Sequence, residues 1–445
     1  MKAYARICLV VILCVISLGQ AWAADLYIRS GATGKNDGSD WINAFTDFPS
    51  YFVRGNTYYV ADGSYKSTAF NTLESGSLFI TIKKATVSDH GTNTGWMDSF
   101  GDGTAVISAP ISFNSGYWII DGSSRTNIDG VYGFKIDNSA VRNSKCVDFS
   151  GQSNIILKYI DVQGDGVDSS VHGDGFYMFG NSYVTISYVR VSSVGRAPFI
   201  MGGNSNVTIE HSLIERNSSD AYYHSEAIAF EGDSDFTIRY NIFRDIEGTG
   251  CIVHLSRGSY KAAYRVKVYG NVAYNSTWGN MRDGWGDGFV ANINKMGAYD
   301  WEVYNNTIVN IVPSQNLGNA AIRFDADSGG KVSGCIARNN MWYNVKNAYH
   351  NGGTFSHNWY YNAPHASEAN IEECTSSCSS FFMGYTSNDF RLAKPTASGF
   401  ILNSPYNLDM NNKQRGADGR WDRGAYEYNG DVNMLQPPSN LRVIN

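Results

Sequence analysis

The chain has 445 residues, of which 43% are hydrophobic, 17% charged and 14% aromatic, a mixture typical of a globular protein with a large core. Forty-six glycines against nine prolines, with 29 tyrosines and 22 phenylalanines, indicate a turn-rich all-β protein and exclude a helical bundle or a collagen. The formal net charge is -6 and the sequence has no lysine-rich or arginine-rich run, so the composition argues against a nucleic-acid binder.

The amino terminus has the pattern of a secretory signal. Lys2 and Arg6 precede an apolar stretch from Ile7 to Leu18, and an A-x-A cleavage pattern ends at Ala23. No later stretch approaches about 18 uninterrupted apolar residues, so no retained membrane anchor is expected. The predicted location is therefore secreted, whether extracellular, periplasmic or at the cell surface.

Five cysteines follow the predicted signal. Cys374 and Cys378 lie in a Ser/Thr-rich loop and could close a small disulfide ring. Cys146, Cys251 and Cys335 sit inside apolar strand patterns and are predicted to be core residues. A zinc site is the weaker interpretation, because the cysteines have no second nearby pair.

Internal repetition is the most informative feature of the sequence. Six segments share one layout, in which a short strand, a polar turn and a second, alternating strand follow each other. They start at Gly175, Pro198, Ala227, Cys251, Gly288 and Ala321. The intervals between the starts vary from 23 to 37 residues, which favours a solenoid whose strands stay in fixed columns while its loops differ in length.

The first strand of each copy predicts which side chains face the core, because side chains alternate across a strand. One inward column is Phe176, Phe199, Ile228, Ile252, Phe289 and Ile322, and the next is Met178, Met201, Phe230, His254, Ala291 and Phe324. The expected outward column is Tyr177, Ile200, Ala229, Val253, Val290 and Arg323. Asn181, Asn204 and Asn206 are expected in tight bends that need left-handed conformations.

These patterns predict a parallel β-helix, and with them the chain resembles the secreted bacterial right-handed parallel β-helix proteins, the pectate-lyase-like group of carbohydrate-active β-helices. The opening GSDWINAFTDFPSYFVRGNTYYVADGSY and the closing RGADGRWDRGAYEY also resemble the end coils of such proteins. The resemblance implies an all-β, single-stranded right-handed parallel β-helix in contact with polysaccharide. The NTDG, GDD, GHG, RIK and DPHD motifs of related enzymes are absent, so no catalytic residue is carried over.

The expected domain organisation has three parts. Residues 1–23 form the signal peptide, residues 24–430 the solenoid with its amino- and carboxyl-terminal caps, and residues 431–445 a linker-like tail. The caps are expected at residues 25–50 and in the stretch after Phe381, because the ends of a solenoid need protection.

Unusual polar residues precede the first strand on three consecutive coils, in HGDG, GRAP and HSEA. The alignment places Arg196 between two His/acid pairs that would be about 9 to 10 Å apart at the usual spacing between strands. The predicted catalytic residues are Arg196, His172, His224, Asp174 and Glu226. The predicted substrate-binding residues are Tyr222, Tyr223, Arg282, Asp283 and Asp287.

Several chemistries fit this strip of residues. In β-elimination of a uronate, Arg196 would neutralise the carboxylate or abstract the proton, a histidine would serve as base, and Tyr222 or Tyr223 as acid. Inverting hydrolysis would use Asp174 and Glu226. Calcium could bind at Asp165 and Asp168 together with Asp174, and no other cofactor is indicated.

A structural role is the competing interpretation of the same residues. Arg196 could form a simple ion pair with Asp174 or Glu226, and loop carboxylates in a β-helix mostly serve turns. The rival function is a non-catalytic, polysaccharide-binding or adhesin-like surface protein, and an inverting hydrolase is the second alternative. His254 is expected to be a hydrogen-bonded core histidine.

Overall fold

The computed structural model describes residues 23–166, 172–215, 226–246, 248, 250–256, 261–276, 288–293, 296–311, 321–325, 329–428 and 430. Strands dominate these residues, and the helices among them are three short 3₁₀ turns, at Asp98–Phe100, Cys378–Phe381 and Tyr385–Ser387. Among the described residues, no helix has the length and apolar character needed to cross a bilayer.

The strands are short, mostly of two to six residues. In chain order they are β1 (Asp25–Ile28), β2 (Thr57–Val60), β3 (Gly63–Tyr65), β4 (Ala69–Phe70), β5 (Ile80–Lys84), β6 (Ala105–Ser108), β7 (Ile111–Phe113), β8 (Trp118–Asp121), β9 (Phe134–Asp137), β10 (Lys145–Ser150), β11 (Ser153–Lys158), β12 (Ile160–Gln163), β13 (Asp174–Phe179), β14 (Ser182–Ser187), β15 (Arg190–Ser192), β16 (Ala197–Gly202), β17 (Ser205–Glu210), β18 (Leu213–Glu215), β19 (Ile228–Glu231), β20 (Ser234–Arg239), β21 (Ile242–Arg244), β22 (Gly250–His254), β23 (Ala263–Tyr264), β24 (Lys267–Tyr269), β25 (Val272–Tyr274), β26 (Gly288–Asn292), β27 (Ala298–Tyr299), β28 (Glu302–Tyr304), β29 (Thr307–Val309), β30 (Ile322–Arg323), β31 (Val332–Ser333), β32 (Ile336–Arg338), β33 (Met341–Tyr343), β34 (Thr354–Ser356), β35 (Trp359–Tyr361), β36 (Glu372–Glu373), β37 (Phe382–Gly384) and β38 (Asp389–Leu392).

Three parallel sheets form the walls of one coil. Sheet A contains β1, β2, β5, β8, β11, β14, β17, β20, β24, β28, β32 and β34 in spatial order, with β23, β27 and β31 beside this path. Sheet B contains β3, β6, β9, β12, β15, β18, β21, β25, β29, β33, β35 and β36, and sheet C contains β4, β7, β10, β13, β16, β19, β22, β26 and β30. The chain passes from sheet A to B to C and back to A, as predicted for a parallel β-helix.

Stacked apolar side chains fill the space between the three sheets. In sheet A the paired residues Ile120, Leu157, Ile186, Ile209, Ile238 and Val268 form one continuous inner column. All are at most 2% exposed. Burying each such side chain contributes about 1.5 to 3 kcal/mol, so stacking on the neighbouring coils supplies the stability that a single coil lacks.

The predicted register of sheet C is right except at β26. Ile252 pairs with Val290, and His254 pairs with Asn292, so the alignment with Phe289 and Ala291 was wrong by one residue. Phe289 and Val290 are both fully buried in the core. Two consecutive inward side chains break the alternation on which the alignment rested.

Polar ladders stabilise two corners of the coil. Between sheets C and A, the Asn181 backbone and side-chain amides donate to Asn204 Oδ1 at 2.9 Å, and Asn204 donates in turn to Asp233. The left-handed residues at this corner are Gly180 and Gly203, so the predicted left-handed conformation was wrong for these two asparagines. It was right for Asn206, which has φ 54°.

The second ladder lies between sheets A and B, and all its members are fully buried. It runs through Ser212, Asn241, Asn271, Asn306, Asn340 and Asn358. Each asparagine accepts a backbone N–H from the preceding coil. The first four asparagines donate their side-chain amides to backbone carbonyls, and Asn358 donates to the Glu368 carboxylate. The amides therefore satisfy buried corner groups that would otherwise lack partners.

Residues 378–428 leave the coil and pack along the outer face of sheet B. Phe390, Tyr406 and Trp421 join Tyr274 of that face and Tyr269 at the adjoining end of sheet A in a second apolar cluster. At the start of this segment Cys374 and Cys378 form a disulfide, which the sequence left open. The three other cysteines, Cys146, Cys251 and Cys335, are buried and free, as predicted.

Replacing Asn306 with alanine should destabilise the coil by about 2 to 4 kcal/mol. The change removes the acceptor of the Asn271 N–H and the donor to the Val268 carbonyl, both of which are buried. Thermal unfolding followed by circular dichroism measures the effect, with Thr208→Ala on the outer face of sheet A as the control. Equal midpoints for the two variants would contradict the role given to the ladder.

The buried Asp233 carboxyl should make stability depend on pH. Burial raises its pKa to about 7, and the nearby Glu231 carboxylate adds to the shift. An unfolded aspartate has a pKa of about 4, so between pH 4 and 7 the folded protein binds a proton at Asp233 that the unfolded chain does not. The contribution of this proton to folding stability is therefore complete below about pH 4 and is lost as the pH rises through 7.

An asparagine at position 233 would extend the amide ladder and remove this titration. Relative to the wild type, Asp233→Asn should gain stability as the pH rises from 5 to 7, by on the order of 1 to 3 kcal/mol, with no further gain above pH 8. Urea midpoints of both proteins across pH 5 to 8 measure the difference. A difference that does not change with pH would show that Asp233 does not carry the raised pKa.

Candidate functional site

The candidate site lies on the outer face of sheet C, where the chain arrives from sheet B. Strand pairing aligns Lys145 with Asp174 and Asp174 with Ala197 on successive coils. Glu226 takes the same position on the next coil, by the register of β16 with β19. The predicted column of Asp174, Ala197 and Glu226 therefore exists, and it extends one coil further back to Lys145.

Arg196 and Asp174 form a two-pronged ion pair at the centre of this column. Arg196 Nε donates to Asp174 Oδ1 at 2.7 Å, and the second nitrogen pairs with Oδ2. The Asp174 side chain is 4% exposed and that of Arg196 is 20% exposed. The pair holds the guanidinium plane in one orientation while part of it stays in contact with solvent.

Hydrogen bonds connect His172 and Asp165 to the same corner. The His172 backbone N–H donates to Asn143 Oδ1 at 2.7 Å, and the Asn143 N–H donates to Asp165 Oδ2 at 2.6 Å. Asp165 also lies directly against Gly173, where an added Cβ would be 2.5 Å from its Oδ1. The structure therefore places Asp165 and His172 beside the Arg196–Asp174 pair.

Only part of the possible calcium site falls within the described residues. They contain no group of three or more His, Cys, Asp or Glu side chains that could hold a metal ion. Asp174 is already engaged by Arg196, and Asp168 lies outside the described residues.

Lys145, Asp148 and Tyr177 belong to the site but were missed by the sequence analysis. Lys145 Nζ donates to Asp148 Oδ2 at 2.8 Å and lies 3.4 Å from the centre of the Tyr177 ring. The cation is thus held between a carboxylate and an aromatic face. The segment from Lys145 to Gly151 repeats the pattern of Asp174 to Gly180, and extending the alignment one coil upstream would have found it.

An open cleft of about 520 Å³ adjoins Lys145 on the outer face of sheet C. Its lining comes from three successive coils, as Ser67, Thr68, Ala69, Pro110, Ile111, Ser112, Asn143, Ser144, Lys145 and Asp148. Apolar atoms supply most of the exposed lining, hydroxyl and amide groups border it, and the charges of Lys145 and Asp148 lie at the end nearer Asp174. A cleft with this lining suits an elongated ligand that carries both apolar faces and polar groups.

Several predicted site residues cannot be placed. His224, Tyr222, Tyr223, Arg282, Asp283, Asp287 and Asp168 all lie outside the described residues. Glu226 is described and is only 5% exposed. The structure therefore brings together Arg196, Asp174, His172 and Asp165, adds Lys145, Asp148 and Tyr177, and places Glu226 in the same column.

His254 has the core position expected for it. It is fully buried, accepts the Gly232 N–H at 3.1 Å and shares a 2.8 Å hydrogen bond with Asn292. Burial lowers its pKa to about 4, so it stays neutral at physiological pH and takes no part in the charged strip.

A family model agrees with this architecture. The model described as "Right handed beta helix region" matches residues 73–277, which include most of the coils that form the site. The fold is a right-handed parallel β-helix. No match was found among curated proteins.

Solved structures similar to this β-helix include several polysaccharide-acting enzymes. The pectate lyase Pel9A is 16% identical, with 92% of this chain and 98% of that chain covered and a TM-score of 0.45. A rhamnogalacturonan lyase is 12% identical, with 93% and 97% covered and a TM-score of 0.43. The mannuronan C-5 epimerase AlgE6 A-module of Azotobacter vinelandii is 13% identical, with 70% and 91% covered and a TM-score of 0.32. Identities this low transfer no residue role to this chain.

The energetic coupling between Arg196 and Asp174 can be measured with a double-mutant cycle. Asp174→Ala, Arg196→Ala and the double variant should give a coupling free energy of about 1 to 3 kcal/mol, because either single change leaves a mostly buried charge without its partner. Urea unfolding at pH 7 provides the three values. Additive effects would mean that the pair contributes nothing to stability.

Proposed function

We propose that this β-helix is an exported polysaccharide lyase that cleaves uronate-containing polysaccharide by β-elimination. The observation that carries the proposal is the partly exposed Arg196 guanidinium, fixed by Asp174 on the same outer face as the open cleft. A guanidinium presents several N–H donors in one plane, and it binds carboxylates in a two-pronged manner.

The charge distribution supports an acidic substrate at this cleft. The whole chain carries a formal charge of -6, so a polyanion is repelled by most of its surface. Lys145 lines the cleft, and Arg196 lies two coils further along the same face, where its side chain reaches back to Asp174 on the coil between them. A uronate chain lying across the coils would bring its carboxylates to these cations.

The elimination needs three groups. A cation neutralises the uronate carboxylate and so acidifies the C5 proton, a base removes that proton, and an acid protonates the departing oxygen on C4 as the C4–C5 double bond forms. We assign the first role to Arg196, the second to His172 or His224, and the third to Tyr222 or Tyr223. Lys145 and Tyr177 are assigned to holding the neighbouring sugar.

Asp174 is poorly suited to the acid role in the hydrolase alternative. Its pairing with Arg196 favours the ionised carboxylate, whereas a general acid must carry a proton. The low exposure of Glu226 also limits the access of water to its carboxylate.

The same ion pair favours a non-catalytic binding protein as the second candidate. A guanidinium compensated by Asp174 can hold a carboxylate without any turnover. The two candidates differ only in whether a base and an acid complete the site.

Ultraviolet absorbance of the unsaturated uronate tests the proposal directly. The protein is mixed with a panel of acidic polysaccharides, with and without calcium, and Arg196→Ala should lower kcat/KM by about 100-fold or more. Arg265→Ala is the matched control, because Arg265 makes the same two-pronged pair with Asp235 on the outer face of sheet A.

The outcomes separate the candidates. Absorbance that depends on Arg196 and not on Arg265 supports the lyase. Release of reducing ends without absorbance would support hydrolysis. Binding that requires Arg196, with no turnover on any substrate, would support the binding protein, and absence of both would refute the site.

A further inference from the structure

The outer face of sheet C is open on its first coils and closed on its later ones. One column of paired, outward side chains shows the change. Its first four members are exposed or half-buried, and they are Ala69, Ser112, Asp148 and Tyr177. Its next three members are at most 6% exposed, and they are Ile200, Ala229 and Val253.

A second outward column changes at the same coil. Ser150 is exposed and Phe179 is half-buried, whereas Gly202 and Glu231, the next two members, are buried. Both columns thus close between β13 and β16. The agreement of two columns shows that the whole width of the face closes there.

A small apolar cluster forms the closed end. Ala197, Ile200 and Ala229 are its buried members, and Leu255 packs against them from a later coil. An outward side chain is buried only where other atoms pack over it, so the face offers no groove beyond this cluster.

Arg196 lies at the transition from the open to the closed part. It directly precedes β16, the first strand that is buried on both faces, and its side chain reaches back to Asp174 on the open side. From β16 the open run passes through β13, β10 and β7 to β4, and these four steps measure about 19 Å at a strand spacing of about 4.8 Å. One step is close to the length of one sugar in an extended chain, so the run has room for about four sugars.

We propose that the cleft receives the end of an acidic polysaccharide, and that cleavage falls within one or two sugars of that end. The inference rests on the proposed function, because it assigns the same cleft to the polysaccharide. A chain bound at an internal position would extend along the face in both directions from Arg196, and the closed coils leave one direction only. The bond broken is the C4–O bond of the uronate that Arg196 holds, with the C5 proton passing to the base and a proton added to the departing oxygen.

The size of the first products tests this inference. The wild type is incubated with polygalacturonate, alginate and hyaluronate, and size-exclusion chromatography with ultraviolet detection follows the first few per cent of cleavage. Fragments of one or two sugars should appear from the start, while the remaining polymer keeps nearly its full length. A rapid fall in polymer length, with fragments of all sizes, would overturn the inference and leave the lyase activity standing.

Binding stoichiometry gives a second readout for any of these polysaccharides that is not cleaved. Analytical ultracentrifugation of the full-length protein with fractions of about 10 and about 40 sugars should show one protein per chain at both lengths. That result without turnover would refute the lyase and support the binding of chain ends. A number of bound proteins that rises with chain length would overturn the inference, and the absence of both binding and turnover would overturn it together with the proposed function.

A substitution in the open run tests the direction in which the chain lies. Ser112→Trp places a large ring in the path of the chain and should weaken the binding of a six-sugar oligomer of the same polysaccharides by about tenfold. Thr208→Trp on the outer face of sheet A is the matched control and should bind normally. Ala69→Trp, at the exposed end of the run, carries the same expectation should Ser112→Trp fail to fold. Normal binding by the folded cleft variants would contradict a chain that runs from Arg196 toward β4.

Discussion

Lateral hydrogen bonding between successive coils is the constraint on which the rest of this structure depends. Every strand of sheets A, B and C pairs in parallel with the equivalent strand of the next coil. The pairing stacks like side chains on like, so inner positions must be apolar and the corners must supply their own polar partners. Asn306 and its equivalents satisfy the corner between sheets A and B for this reason. Only the outward positions remain free for chemistry, and the candidate site therefore lies on an outer face.

Much of this architecture could be predicted from the sequence, because the repeats reflect the stacking directly. The inner column through Phe176, Phe199 and Ile228 is paired as the alignment required. The error at β26 has a physical cause. Near the corner between sheets B and C two adjacent side chains face inward, as Phe289 and Val290 do, and an alternating pattern cannot show which of them begins the strand.

The site was predictable only where it falls inside the recognised repeats. Arg196 and Asp174 were found because both lie just before aligned copies, whereas Lys145 and Asp148 lie one coil before the first copy and were not aligned with it. Their importance depends on two facts that the sequence does not contain, namely the contact of Lys145 with the Tyr177 ring and the cleft that opens beside it. The position of residues 378–428 on sheet B could not be predicted either, because this segment has no repeat and its packing depends on the shapes of its side chains.

The carboxyl-terminal segment also explains why the two outer walls differ in chemistry. Where it covers sheet B, the charges beneath it must be paired locally, and Glu215 accordingly accepts from both Arg190 and Arg244 with no exposed side-chain surface. On sheet C no described segment covers the three coils that form the cleft, and Lys145 keeps about a third of its side chain exposed. A cation in that setting loses less hydration on meeting a carboxylate than a buried one would, and it can exchange Asp148 for a ligand group. The same residue types thus form a buried, fully paired network on one wall and lie beside an open cleft on the other, and the difference arises from which wall the chain covers after it leaves the coil.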